Sequence, residues 1–304
     1  MNSDQPTTDR PTIAFIGLGI MGGPMAANLV AAGYQVTGYN RSPGKIATLV
    51  DRGGRAADSV ADAVTGADVI VTMVPDSPDV EAVAAGPGGI FEHAKPGSIW
   101  IDCSTIRPDV AVTLAEQAAD HQLRAVDAPV SGGEAGAVEG TLSIMVGGEA
   151  AVVESVRPVL EAVGKTVVHV GPAGSGQTVK AANQLIVAGT IELVAEALIF
   201  LEAYGVDTAA AIEVLAGGLA GNRILDRKAT SMVAREFAPG FRVDLHHKDM
   251  GIILAAAREA GVAIPLGAHT AQLMQSLRQL GHGDLDHSAL LLLVEQLSGR
   301  TPQN

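Results

Sequence analysis

The chain has 304 residues, enough for about two domains, and 47% of them are hydrophobic while 17% are charged. This composition is typical of globular proteins with a large core. The formal net charge of −13 argues against a nucleic-acid partner or an anionic membrane surface, because both bind clustered lysine and arginine. The single cysteine, Cys103, excludes an internal disulfide and fits a reducing compartment. The polar first residues show no secretory signal, so we expect a disordered tail at 1–10 and a cytoplasmic protein.

The first structured segment follows the order strand, glycine-rich turn, helix, strand. Apolar residues predict strands at 12–16 and 35–39 and a helix at 24–32. In this context G-x-G-x-x-G is the dinucleotide fingerprint, in which the first glycine makes the turn, the second admits the pyrophosphate and the third packs helix on strand. The predicted cofactor-binding residues of this turn are Gly17, Leu18, Gly19, Ile20, Met21 and Gly22.

The end of the second strand predicts which dinucleotide binds. NAD sites usually carry an acidic residue here, which accepts from the ribose 2′-hydroxyl. This chain has Asn40, Arg41 and Ser42 instead, so an arginine is available to pair with a 2′-phosphate and two polar side chains can donate to it. We predict NADP, with NAD possible; in the alternative, Arg41 is a solvated loop residue and both cofactors are accepted.

Strands and helices continue to alternate as far as residue 172. Further strands are predicted at 67–74, 98–101, 124–128, 142–146 and 166–170, and helices from about Pro108 and at 149–163. The alternation predicts an α/β fold, a Rossmann-type doubly wound sheet in a dinucleotide-binding domain at 11–172. Loops of special composition follow four of the strands: Gly17, Val74-Pro75, Ser104-Thr105 and Ser131-Gly132-Gly133. Because ligands bind outside the carboxyl ends of such strands, we expect these loops to converge on one crevice.

From residue 173 onward only helical patterns occur, which predicts an all-α domain at 173–304. It opens with a long helix from Gln177 to about Tyr204, in which Glu192 and Glu196 interrupt the apolar residues and argue against a membrane span. An apolar helix of this kind is expected to be buried nearly all round. The few helices that follow can hardly cover it, so a second subunit is expected. Those helices are predicted at 208–216, 222–234, 249–260, 265–280 and 287–297.

Lys180 is the only basic residue of the long helix, and Asn183 follows three residues later on the same face. Lysines are rarely buried without a function or a partner. Burial and the positive end of the helix both favour the neutral amine, so Lys180 is a candidate general acid–base. Asn183 can orient the lysine or the substrate, and Ser131-Gly132-Gly133 offers a hydroxyl and N–H groups to a carboxylate. The alternative for Lys180 is a lysine that extends to the surface, and the alternative for the glycine-rich segment after Ser131 is a plain flexible turn.

A metal site is not expected. The eight histidines are scattered, and no group of cysteine, histidine and aspartate has the usual zinc spacing. Cys103 lies among apolar residues, so it is expected to pack in the core.

These motifs in this order resemble the β-hydroxyacid dehydrogenase family along nearly the whole chain, from about Thr12 to Ser298. The resemblance rests on the motifs at 15–22, 127–133 and 174–183 and on Lys248-Asp249. It implies a Rossmann domain followed by a helical domain, with Lys180 as the acid–base and Ser131, Gly132 and Gly133 holding the substrate carboxylate. It further implies cofactor contacts from Thr105 and Lys248, a small hydroxyacid or semialdehyde substrate, and a homodimer or homotetramer.

Within the family, the segments at 132–148, 217–229, 239–249 and 286–290 are most similar to members that reduce tartronate semialdehyde. Gln184 stands where hydroxyisobutyrate enzymes typically have a second asparagine. Lys180 argues against imine reductases, which often carry aspartate or tyrosine there, and phosphogluconate enzymes are much longer. Oxidation of 3-hydroxyisobutyrate or a related acid and a non-catalytic NADP-binding module remain as alternatives.

Overall fold

The structure is a computed structural model, and it describes residues 10–300. The chain divides into two compact units, residues 1–180 and residues 181–304. The tail predicted at 1–10 lies outside the described residues except for Arg10, whose guanidinium stacks over the Tyr34 ring at 5.2 Å. The domain limits at residues 172 and 173 remain predictions.

The first unit is built on one nine-stranded sheet. Its strands are β1 (Ile13–Ile16), β2 (Val36–Tyr39), β3 (Arg55–Ala56), β4 (Val69–Thr72), β5 (Ile99–Asp102), β6 (Arg124–Asp127), β7 (Val130–Ser131), β8 (Leu142–Gly148) and β9 (Gly164–Gly171). Strands β3-β2-β1-β4-β5-β6 are parallel neighbours in that order, and β8 runs antiparallel to β6 and β7 but parallel to β9. The predicted doubly wound α/β fold is confirmed. The strand order reverses between β1 and β4, since β2 and β3 lie on one side of this point and β5 and β6 on the other, and such folds bind ligands there.

Helices cover the sheet on both faces because alternate strand residues point to opposite sides. Ile13 and Phe15 of β1 lie in one apolar core, while Ala14 and Ile16 lie in the other, and all four are at most 1% exposed. The helices of this unit are α1 (Gly22–Ala31), α2 (Ile46–Asp51), α3 (Val60–Val64), α4 (Ser77–Ala85), α5 (Ile90–His93), α6 (Pro108–Asp120), α7 (Gly133–Glu139) and α8 (Ala150–Glu161).

Helix α9 (Ser175–Ala203) crosses from the first unit into the second. The helices that follow are α10 (Thr208–Gly217), α11 (Arg223–Val233), α12 (Val243–Glu259), α13 (Pro265–Leu277) and α14 (Leu290–Leu297). They enclose a core with α9 residues Ile191, Ala195 and Leu198, which are at most 1% exposed. By length and composition alone α9 could cross a membrane, but 44% of its most apolar window is buried inside the fold.

Helix α9 is not buried all round within a single chain. Ile186, Leu193 and Phe200 are 68%, 64% and 62% exposed, and Tyr204 beyond the helix end is 76% exposed. The first three are seven residues apart and therefore form one stripe along the helix. The helices that follow cover other faces of the second half of α9 within this chain.

Two segments differ from the sequence-based expectation. Helix α12 begins at Val243 rather than at 249. The sequence pattern missed its first turns because the buried face there carries the polar residues His246 and Asp249. The glycine-rich segment after Ser131 is the short helix α7 and not a flexible turn. Glycine is a poor helix former, so composition alone argued against this helix.

Candidate active site

The ends of four adjacent strands form one edge of the sheet. Ile16, Thr72, Asp102 and Asp127, the last residues of β1, β4, β5 and β6, are paired in register across that edge. The loops that start there contact one another, since Ser104 Oγ accepts from the Val74 N–H at 3.0 Å. The structure therefore brings together three of the four predicted loops, those at Gly17, Val74-Pro75 and Ser104-Thr105.

The fourth predicted loop, Ser131-Gly132-Gly133, does not start at this edge of the sheet. Ser131 belongs to β7, a separate strand that continues past the end of β6 and pairs with β8, with Ser131 opposite Ser143. Ala128 and Pro129 separate the two strands, and the Met145 N–H donates to Pro129 O at 3.1 Å. Ser131-Gly132-Gly133 thus lies beyond the strand edge, with Ser131 half-buried and Gly132 exposed at the start of α7.

The three glycines of the fingerprint have the geometry that the motif predicts. Gly17 has φ +97°, and a Cβ there would lie 2.3 Å from Met73 O. A Cβ on Gly22 would lie 1.9 Å from Gly17 O, whereas a Cβ on Gly19 would meet no atom within 4 Å. The open space at Gly19, beside the N-terminus of α1, fits the pyrophosphate of a dinucleotide.

Asn40 holds this turn, a role that sequence reasoning did not assign to it. Its Oδ1 accepts from the Leu18 N–H at 2.9 Å, and its Nδ2 donates to Ser42 O at 2.9 Å. The Leu18 side chain is only 1% exposed and lies in the core, while Ile20 is 52% exposed. Asn40 therefore links the loop after β2 to the loop after β1.

Arg41 projects into solvent with 87% of its side chain exposed. Its Nη1 lies 3.8 Å from Asp79 Oδ1 near the start of α4. A guanidinium at the end of β2 can pair with a 2′-phosphate. Asp79 is a competing carboxylate that sequence reasoning did not identify.

Lys180 is buried, with 7% exposure, and its Nζ donates to Val130 O at 2.7 Å. Val130 immediately precedes Ser131, so the ammonium group lies at the strand that carries the proposed carboxylate loop. The alternative of a lysine extending to the surface is wrong. A charged-group hydrogen bond of this length is strong and fixes the side chain.

Asp127 and Gln177 support the first turn of α9, and sequence reasoning missed both. Asp127 accepts from the Gly174 N–H at 2.8 Å and the Gln177 N–H at 2.9 Å, which are among the unpaired donors of the helix start. Burial nevertheless raises the pKa of Asp127 above its usual value, against the lowering effect of these N–H groups. A Cβ on Gly176 would lie 2.4 Å from Met145 O, so this turn packs directly against β8. The signal that could have revealed Asp127 was an acidic residue at a buried strand end.

Asp102 organises the loops after β4 and β5. Its Oδ1 accepts from Thr72 Oγ1 at 2.7 Å and from the Ser104 N–H at 3.2 Å. Complete burial raises the pKa of Asp102 to about 6, with a smaller contribution from the nearby Asp127. Its Oδ2 is buried without a hydrogen-bond partner. A proton on the carboxyl group removes its negative charge and so lowers part of the free-energy cost of this burial.

In the second unit, Asn183 ends a chain of polar side chains. Its Nδ2 donates to Gln184 Oε1 at 2.8 Å, and Gln184 Nε2 donates to Asp249 Oδ2. Lys248 Nζ lies 2.9 Å from Asp249 Oδ1. Gln184 therefore links Asn183 to the predicted cofactor residue Lys248, and this helix-to-helix contact could not be read from spacing.

Within residues 10–300, no group of three histidine, cysteine or acidic side chains is arranged to hold a metal ion; the absence of metal chemistry remains a prediction. Cys103 is buried and burial raises its thiol pKa, so it packs in the core as expected.

Two models of known protein families match this chain. Residues 12–171 match the model of the NAD binding domain of 6-phosphogluconate dehydrogenase. Residues 174–294 match the model described as NAD-binding of NADP-dependent 3-hydroxyisobutyrate dehydrogenase. Together the two models account for nearly the whole chain.

Individual proteins are similar over their full length. The chain is 42% identical over 287 residues to 2-hydroxy-3-oxopropionate reductase of Escherichia coli, covering 94% of this chain and 98% of that one. It is 38% identical over 287 residues to 3-hydroxyisobutyrate dehydrogenase of Pseudomonas aeruginosa, covering 91% and 96%. Among solved structures, 3-hydroxyisobutyrate dehydrogenase of Mycobacterium tuberculosis with L-serine superposes with a TM-score of 0.86 at 35% identity, covering 93% and 99%.

Proposed function

Since the chain belongs to the β-hydroxyacid dehydrogenase family, and is thus an NAD(P)-dependent oxidoreductase acting on a CH–OH group, we propose that it reduces tartronate semialdehyde to glycerate. The substrate is supported by the 42% identity with the Escherichia coli reductase and by the segments at 132–148 and 239–249. The three-carbon semialdehyde carries a carboxylate, which the chain must anchor, and an aldehyde, whose oxygen must receive a proton.

The contact between Lys180 and the strand of Ser131 carries the proposal. A buried ammonium group 2.7 Å from Val130 O is held next to the loop that we propose binds the carboxylate. Gly132 and Gly133 have φ +143° and +66°, and a Cβ on Gly133 would meet no atom within 4 Å. This loop therefore leaves room for a ligand beside backbone N–H groups. The substrate spans only three carbons, so its aldehyde lies near Lys180.

The proposed catalysis combines positioning with proton transfer. A bound nicotinamide dinucleotide supplies the hydride. Lys180 donates a proton from Nζ to the oxygen of the former aldehyde, and Val130 O keeps the ammonium group in place. Asn183, three residues later in α9, orients the substrate through an amide that Gln184 holds. Positioning and acid catalysis of this kind each contribute several powers of ten in rate.

For the cofactor, the chain uses NADP, with NAD possible. We propose pyrophosphate contacts from Gly17 to Gly22 and a 2′-phosphate contact from Arg41, with Asn40 and Ser42 shaping that end. Val74, Pro75, Thr105 and Lys248 are proposed as further contacts. We also propose a cytoplasmic homodimer or homotetramer with no nucleic-acid or membrane partner.

A related substrate is the second candidate. The model matched by residues 174–294 and the Mycobacterium tuberculosis structure both carry the name 3-hydroxyisobutyrate dehydrogenase. Steady-state rates separate the two: glycerate, 3-hydroxyisobutyrate and L-serine are tested for oxidation with NADP+ or NAD+, and tartronate semialdehyde for reduction with NADPH or NADH. Among the three compounds that are oxidised we expect the highest kcat/KM for glycerate with NADP+, and a higher value for 3-hydroxyisobutyrate would reject the proposal. For tartronate semialdehyde we expect a higher kcat/KM with NADPH than with NADH.

The proton donor is tested by Lys180→Ala. We expect nearly complete loss of kcat with NADPH affinity unchanged, because the methyl group cannot donate a proton. Lys165→Ala, at an exposed position of β9, serves as the matched control and keeps full activity. A Lys180→Ala enzyme within tenfold of wild type would reject the assignment.

A further inference from the structure

Gln177 is a buried amide with no assigned role at the start of α9. Its side chain is 1% exposed. Its Oε1 accepts from the Ile106 N–H at 3.1 Å, and its Nε2 donates to Ser104 O at 2.8 Å. Both ends of the carboxamide are therefore bonded to the backbone on the two sides of Thr105.

The Gln177 side chain holds the loop around Thr105 through backbone hydrogen bonds, as a neighbouring β-strand would. Two hydrogen bonds, one donated and one accepted, hold the peptide groups before and after Thr105. A buried backbone group that loses its hydrogen-bond partner is strongly destabilising. The loop conformation around Thr105 therefore depends on Gln177.

The effect extends to the loop after β4. Ser104, which is fully buried, accepts from the Val74 N–H through its Oγ at 3.0 Å. Arg107, on the other side of Ile106, donates its N–H to Ser77 Oγ at 3.2 Å. A shift of the Ser104–Ile106 segment would thus move Val74 as well.

Gln177 also shares a rigid helical turn with Lys180. The two residues are three apart, so their side chains lie on one face of α9. Asp127 holds the turn by accepting from the Gly174 and Gln177 N–H groups, and Lys180 extends to Val130 O. One turn of helix therefore connects the loop after β5, the end of β6 and the start of β7.

We propose that Gln177 is a positioning residue, which holds the Thr105 loop against the cofactor and keeps it in register with Lys180. This inference rests on the proposed cofactor contact of Thr105 and the proposed proton donation by Lys180. It adds a residue whose own side chain touches neither cofactor nor substrate.

Two substitutions separate positioning from simple packing. Gln177→Met has a similar length and makes neither hydrogen bond. Gln177→Glu still accepts from Ile106 N–H, but its carboxylate faces Ser104 O and donates to it only when protonated. The matched control is Thr178→Val, since Thr178 is exposed on the same turn and its Oγ1 donates to Gly174 O, four residues earlier in the chain, at 2.9 Å.

The main measurement is the NADPH dissociation constant without substrate, between pH 5.5 and pH 8.5. For Gln177→Met, which loses both hydrogen bonds, we expect binding about tenfold weaker than wild type at every pH. For Gln177→Glu we expect similar weakening at pH 8.5 and recovery toward wild type as the pH falls, because burial raises the pKa of the new carboxyl. Thr178→Val should follow wild type.

The proposal fails if Gln177→Met binds NADPH within twofold of wild type, or if either variant lowers only the melting temperature and leaves binding and kcat/KM unchanged. If Gln177→Met does not fold, the pH dependence of Gln177→Glu decides alone. Because binding is measured without substrate, a wild-type enzyme that binds NADPH but reduces no tartronate semialdehyde would reject the proposed substrate and leave this test valid.

Discussion

At the scale of single residues, the glycine turn shows how one residue type serves three purposes. Gly17 needs its positive φ, and Gly22 lies too close to Gly17 O for any side chain. A Cβ on Gly19 would meet no protein atom within 4 Å, so the absence of a side chain leaves space for a ligand. The motif and its order predicted all three purposes, because each follows from backbone geometry within a few residues.

We also propose that single residues set the preference for NADP. Asp79 Oδ1 lies 3.8 Å from Arg41 Nη1, so its negative charge would repel a 2′-phosphate bound by that arginine. We expect Asp79→Asn to tighten NADPH binding relative to NADH by about threefold at low salt, as estimated for charges several ångströms apart in water. The effect should shrink at high salt.

Asp120→Asn is the control for this prediction, because it removes the same charge from the exposed last residue of α6. Dissociation constants for both cofactors at two ionic strengths provide the measurement. An unchanged ratio of NADPH to NADH affinity in Asp79→Asn would mean that Arg41 does not bind the 2′-phosphate or that Asp79 does not compete with it.

At the scale of elements, α12 and the turn before α14 share a buried histidine pair. His246 Nε2 lies 3.2 Å from Gln184 O, which can only accept, and the His246 and His287 Nδ1 atoms are 2.9 Å apart. His246 therefore donates through Nε2, and one of the two Nδ1 atoms donates to the other. Phe241 packs on both rings, and Asp286 and Lys228 lie beside them.

This pair predicts a loss of stability in acid. Burial and the neighbouring His246 lower the pKa of His287 to about 3, against about 6.5 in the unfolded chain. Between these values the unfolded state binds more protons, so stability rises with pH. It is therefore complete above pH 6.5 and falls below it, by about 2 kcal/mol at pH 5. The pKa of Asp286 is also lowered, which adds a further loss below about pH 4.

Denaturant unfolding at pH 7 and pH 5 measures this effect. We expect His287→Asn to be less stable at pH 7 but to lose less stability on going to pH 5, since the titrating group is gone. His93→Gln, at an exposed position of α5, should retain the wild-type dependence. Equal losses in His287→Asn and wild type would show that other groups cause the acid sensitivity.

At the scale of the whole molecule, the exposed stripe of α9 supports the proposed oligomer. Ile186, Leu193 and Phe200 are each more than 60% exposed, and such a continuous apolar surface is uncommon on monomers. Glu192, on the same helix, is buried, and this burial together with Glu196 raises its pKa to about 7. The surface is of the kind that a second copy of the chain covers.

We expect Phe200→Glu to shift the protein to monomer, because each new charge would have to be buried in the interface. Val262→Glu, which is placed on an exposed residue after α12, should leave the assembly unchanged. Sedimentation or light scattering over a range of concentrations measures the mass. A wild-type monomer mass that does not depend on concentration would contradict the oligomer.

The sequence by itself determined the α/β and helical pattern and the cofactor turn, because these depend on periodicity and on residues close together in the chain. It also proposed Lys180 as the acid–base, with the help of the family resemblance. Only the tertiary structure decided what supports them. Asp127 lies 50 residues before Gln177, and Gln177 lies 71 residues after Ile106. Their contacts arise when β5, β6 and α9 pack, and no local pattern encodes them. The strand β7 and the exposed face of α9 were likewise settled by packing, which decides what pairs with each strand and what remains uncovered.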